Sequence, residues 1–139
     1  MTNAPPKENK RLNMRWMMMG GLLAAAFFLV QAGVAEIFLS RNVVCLANAS
    51  QLRIGLLPEE ICMPAWQQLL LTGAANGILG VFLRGAQWLG WVLTGGLYFA
   101  FGVGVTQLRA RTGLTVFFIA HLFMTVIAAM LAYISQYIL

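Results

Sequence analysis

The sequence predicts an all-α polytopic integral membrane protein, and three observations carry that expectation. Charged residues make up only 9% of the chain and apolar residues 60%, against roughly 25% and 45–50% in a soluble domain. The apolar residues gather in long runs of the length that crosses a bilayer. The nine Lys and Arg residues stand at the ends of those runs or between them, where topology signals belong, and not in a stripe that could follow a phosphate backbone. So few charges cannot solvate a soluble surface of this size. Nucleic acid is not an expected partner, whereas membrane lipid and other integral membrane proteins are.

Four transmembrane helices are expected in a single domain over 16–139, after a polar, basic N-terminal tail over 1–15 with the character of a mobile segment. The first span is 16–39, about 36 Å at 1.5 Å per residue, enough to cross a core of roughly 30 Å with some tilt. The apolar run is longer than the roughly 7–15 residues of a signal peptide, so the expectation is a retained span. Residues 40–63 read as an external loop. The second span, 66–83, is about 27 Å long and therefore short for a crossing. Arg84 and Gly85 form a tight break, and the third span follows over 86–107. Arg109 and Arg111 end it, and 114–138 is the fourth. The alternative count is three, with 66–83 re-entrant or lying flat on the membrane.

Topology follows from the Lys/Arg balance. With four spans, Lys7, Lys10, Arg11, Arg15 and Arg84 share one side, and Arg41, Arg53, Arg109 and Arg111 the other, five against four. That bias is weak, and the dense tail beside the first span assigns the N-terminus to the cytoplasm. A three-span count is expected to carry Arg84, Arg109 and Arg111 to one side. The setting that fits is a bacterial inner or intracytoplasmic membrane.

Cys45 and Cys62 are the only two cysteines and bracket the external loop. In an oxidising compartment a bridge between them is the expected state. Closing that loop would be worth about 3 kcal/mol on the chain-entropy model. Neither a metal shell nor a redox motif is suggested, because His is absent nearby and the spacing is not Cys-x-x-Cys.

His121 is the only histidine and falls inside the fourth span, where an ionisable group by default suggests a function. It is a candidate ligand for haem or chlorophyll. Against that stands the reading of a neutral His hydrogen-bonded to another helix, with Thr94 or Thr106 as candidate partners. Glu36 lies near the outer end of the first span. An acid in the first helix of a small four-helix chain is similar to the small multidrug transporters, which embed theirs at mid-depth, where this chain has Ala25, Ala26 or Phe27. Asn76, Gly80 and Arg84 are four apart and share a helix face. Asn76 and Arg84 therefore read either as helix glue and topology anchor or as part of a polar path.

The strongest recurrent pattern is small residues four apart: Gly73 and Gly77, Ala86 and Gly90, then Gly96, Ala100 and Gly104. Small residues let helix backbones approach, and packing drives association where lipid removes the hydrophobic incentive. No acid pair, nucleophile elbow or phosphate loop is present, so catalysis is not expected. The leading functional expectation is a non-catalytic accessory or structural subunit of a larger membrane complex, packing through its small-residue faces. A small homo-oligomeric transporter or channel is the alternative, and a cofactor-holding subunit using His121 is a further one.

Overall fold

The computed structural model describes residues 7–51, 65–83 and 85–137, and these form four helices: α1 (Lys7–Gln51), α2 (Ala65–Gly80), α3 (Gln87–Val105) and α4 (Ala110–Tyr137). The protein is all-α. Three of the helices are long and apolar enough to cross a membrane, over Asn13–Ser40, Gln87–Val105 and Ala110–Ser135, which supports a membrane location. This fits the count of three and not that of four.

α1 begins directly after Pro5-Pro6 and runs 45 residues, so part of the expected mobile tail is helical. It also continues through 40–51, the first part of the expected loop. The physical reason is the absence of any stop: between Gly33 and Gly55 the chain has neither Gly nor Pro. The α2–α3 connection is the tight break expected at Arg84-Gly85. Leu83 N–H donates to Gly80 O at 3.2 Å and Ala86 N–H to Leu83 O at 3.0 Å. Gly85 takes φ 97°, which only glycine adopts without strain. α3 tightens into i→i−3 bonds at its end, with Gln107 N–H on Gly104 O and Leu108 N–H on Val105 O. α4 then starts at Ala110, a turn earlier than the expected 114, with Gly113 N–H on Arg109 O at 2.7 Å.

α1 packs chiefly against α3 and α2 chiefly against α4, while α3 and α4 touch sparingly despite their short connection. Two contacts fix the antiparallel α1–α3 pair. At one end, called here the lower, a Cβ on Gly102 would lie 2.5 Å from Gly20 O. At the upper end Gln87 reaches Glu36. The interior is built from small residues, among them Ala24, Ala32, Ala35, Ala75, Ala128, Ala129 and Ala132. Large apolar side chains such as Val30, Leu122 and Phe123 stand outside. Small residues inside and large apolar ones outside suit helices that meet by close backbone approach and face hydrocarbon.

Among the described residues, α2 is not one of the helices long and apolar enough to cross a membrane. It has 16 residues, about 24 Å of helix, and Gly77 interrupts it with φ 66° and ψ −179°. Its close approaches all lie in the upper half of the bundle. A Cβ at Gly73 would meet Ala129 N at 2.6 Å, one at Gly77 would meet the Thr94 side chain, and Gly80 lies against Gly90. The helix packs in one half of the bundle and leads through the turn at Gly85 to the start of α3, which fits the three-span count.

Candidate functional site

Three groups of side chains stand out, at three depths. The middle one surrounds His121. Nδ1 of its ring lies 2.5 Å from the Tyr98 hydroxyl, joining α4 to α3. Tyr98 is buried and stacks on Phe28 of α1, with centroids 4.9 Å apart and planes 19° from parallel. Phe27 meets the imidazole edge-on at 5.0 Å, and Phe117 lies nearly parallel to it at 6.3 Å. The partner expected for His121 was Thr94 or Thr106, and the structure replaces both with Tyr98. Thr106 instead donates to Val103 O at 2.7 Å. Thr94 Oγ1 and Trp91 Nε1 are buried without a hydrogen-bond partner among the described residues.

The upper group lines a cleft of about 330 Å³ where all four helices meet. Glu36 of α1 accepts a hydrogen bond from Gln87 Nε2 of α3 at 3.3 Å. Thr72 and Asn76 of α2 and Ser135 of α4 also face it. Asn76 is held within α2, its Nδ2 donating to Thr72 O at 3.0 Å. Glu36 is exposed, in keeping with its expected place near the span end. Arg84 lies outside the described residues, so only Glu36 and Asn76 of the three expected polar residues are brought together.

The lower group is apolar. Gly20 and Ala24 of α1, Gly102 of α3, and Leu114 and Phe117 of α4 border a lateral groove of about 370 Å³.

The small residues divide by role. Gly73 approaches α4 and Gly77 approaches α3, so one GxxxG serves two helices, and the kink at Gly77 is what turns it between them. Gly90 packs on Gly80, its Cβ position 2.5 Å from Gly80 Cα. Ala86 is the residue before the first turn of α3 and has no side-chain role in the cap. Gly96, Ala100 and Gly104 face outward, and no atom lies within 4 Å of the Cβ positions of Gly96 and Gly104. Cys45 lies on the α1 backbone and Cys62 outside the described residues, so their pairing is not placed. Among the described residues, no group of three His, Cys, Asp or Glu is gathered as a metal site would need. The pairing of Tyr98 with His121 and of Gln87 with Glu36 was not expected from the sequence. Their contacts span 23 and 51 positions, and no local pattern marks either.

Comparison with protein-family models, curated proteins and solved structures finds no match.

Proposed function

We propose that the chain is a small non-catalytic subunit of a larger membrane assembly and docks through the outer face of α3. The observation that carries this reading is the outward stripe of Gly96, Ala100 and Gly104, exposed at a regular spacing of four, with no atom within 4 Å of the Cβ positions of Gly96 and Gly104. Gly73, Gly77 and Gly90 are already engaged in contacts between helices. A further helix could approach α3 along this stripe as closely as α1 approaches it at Gly102. Native mass spectrometry after gentle extraction tests it. A defined hetero-complex that dissociates on Ala100→Leu supports the reading, and a lone chain or homodimer sinks it.

The reading carries an orientation. With α2 not crossing, Lys7, Lys10, Arg11, Arg15, Arg109 and Arg111 belong to the lower side, and Arg41, Arg53 and Arg84 to the upper, six to three. On that reading Arg84 counts with Arg41 and Arg53, and the balance favours a cytoplasmic N-terminus. Cys45 and Cys62 then belong to the exterior. A membrane-impermeant thiol reagent should label them only after reduction, and labelling without reductant would rule out the bridge.

A second reading, a small transporter or channel, draws support from the polar cleft at Glu36. Reconstituted vesicles taking up a solute, with loss on Glu36→Gln, would favour it over the subunit. For His121, its Nδ1 bond to Tyr98 and the ring packing of Phe27 and Phe117 support a structural role ahead of haem or chlorophyll ligation. A purified sample with a haem or pigment absorption band would reverse that order.

A further inference from the structure

We propose that the groove at the lower end of the bundle is a binding site for an anionic phospholipid, with alkyl chain in the groove and phosphate at the arginines below it. The groove is lined by Gly20, Ala24, Phe27, Gly102, Leu114 and Phe117. It exists because α3 and α4 diverge: their contact is sparse, and the aromatic side chains of Phe27 and Phe117 bridge α1 to α4 with ring centroids 5.6 Å apart. Its rim is exposed at Leu23, Leu114 and Phe118, so it opens sideways, toward hydrocarbon in a membrane.

The lining chooses the occupant. The groove holds about 370 Å³ and is walled almost wholly by apolar side chains and glycine, among them Leu23, Phe27, Leu114 and Phe117, which suits an alkyl chain.

Charge chooses the headgroup. Gly20 abuts the Thr106 side chain, which marks the level at which α3 ends. Below that level stand Arg15 on α1, Arg109 in the turn and Arg111 on α4. All three are exposed, and no ion pair to an acid is recorded for any of them among the described residues. At this end the apolar spans begin at Asn13 and Ala110 and end at Val105, so Arg15 and Arg111 stand within two residues of a span start and Arg109 lies between two spans, within reach of a headgroup layer by snorkelling. Basic residues at the mouth of an intramembrane groove attract anionic lipid, each charge adding about fivefold to affinity. The upper cleft has the opposite character: its charged group is Glu36, and its rim is polar.

The test is native mass spectrometry of the full chain titrated with dioleoyl phosphatidylglycerol and, separately, with dioleoyl phosphatidylcholine. One phosphatidylglycerol should be retained per chain in preference to phosphatidylcholine. Arg109→Gln with Arg111→Gln should weaken its retention about thirtyfold. Leu114→Trp, at an exposed rim position, should fill the groove and displace the lipid with the arginines intact. Glycerol phosphate, which offers the headgroup without a chain, should not compete. Helix content by circular dichroism should be unchanged in both variants. Equal retention of the two lipids, retention unaffected by Leu114→Trp, competition by glycerol phosphate alone, or a co-purified protein in place of lipid would each overturn the proposal.

Discussion

The upper and lower halves of this bundle are closed by different means. In the upper half a kinked helix of 16 residues is wedged among the others: backbone meets backbone at Gly73 and Gly80, and Gly77 lies against the Thr94 side chain. In the lower half Gly20 meets Gly102 and Gly113 lies near Val105 O, and phenylalanine rings stand between α1 and α4. Where α2 fills the space the cavity that remains is polar; where nothing fills it the cavity is apolar. Small residues and short helices therefore buy contact, and large aromatic ones keep a space open. In lipid the difference matters, because no hydrophobic force pulls loosely packed helices together.

The largest test of that contrast is to add bulk where backbones touch. Gly90→Ile would drive side chain into Gly80 Cα, which has no rotamer to yield. The expected loss is about 3 kcal/mol or more, the upper range for overpacking. Unfolding in detergent measures it. Ala100→Ile, on the outer face of the same helix, should change the isolated chain's stability by less than about 0.5 kcal/mol. Equal losses would mean that the outward stripe is part of the chain's own core.

Next in size is Gly77→Ala. With φ 66° and ψ −179° the position lies in a region essentially reserved for glycine, costing another residue about 1–3 kcal/mol, and the new Cβ would press on Thr94. Destabilisation confined to α2, read by hydrogen exchange, would keep the upper wedge separate from the α1–α3 pair. A stabilised variant would mean that α2 is a straight helix and that the kink does not set its depth.

Much of the lower half was legible in the sequence, since α3 and α4 are uninterrupted apolar runs ended by Arg84-Gly85 and by the Arg109–Arg111 stretch. The four-span count failed at α2, because hydropathy over 66–83 does not report that Gly77 would leave helical geometry and stay in one half. α1 ran past its expected end for a simpler reason: nothing between Gly33 and Gly55 breaks a helix. The small-residue stripes were visible, but not the direction each faces. Gly73 and Gly77 look like one face and serve two, and only Gly96, Ala100 and Gly104 remain outside. Partners such as Tyr98 for His121 depend on how helices rotate against each other, which spacing within one helix does not determine.

A smaller effect tests the boundary between the halves, where Tyr98 meets His121. Tyr98→Phe keeps the stack on Phe28 and removes the hydroxyl. Hydrogen bonds between membrane helices average about 0.6 kcal/mol in double-mutant cycles, and a cycle with His121→Phe should return a coupling of that order. Zero coupling would assign the contact to ring packing alone.

The smallest expected change is Thr94→Val. Thr94 is buried to 1% exposure against Gly77, and its Oγ1 has no partner among the described residues. Its methyl and hydroxyl fill space that valine would fill with nearly the same shape. Removing an unsatisfied hydroxyl while keeping its volume is close to neutral or mildly stabilising, by up to about 1 kcal/mol. If Thr94→Val costs 1 kcal/mol or more, the hydroxyl is bonded in the membrane and helps hold the kink. If the change is neutral, the fit of this side chain against Gly77 is sufficient to seat α2, and the upper half is closed by shape alone.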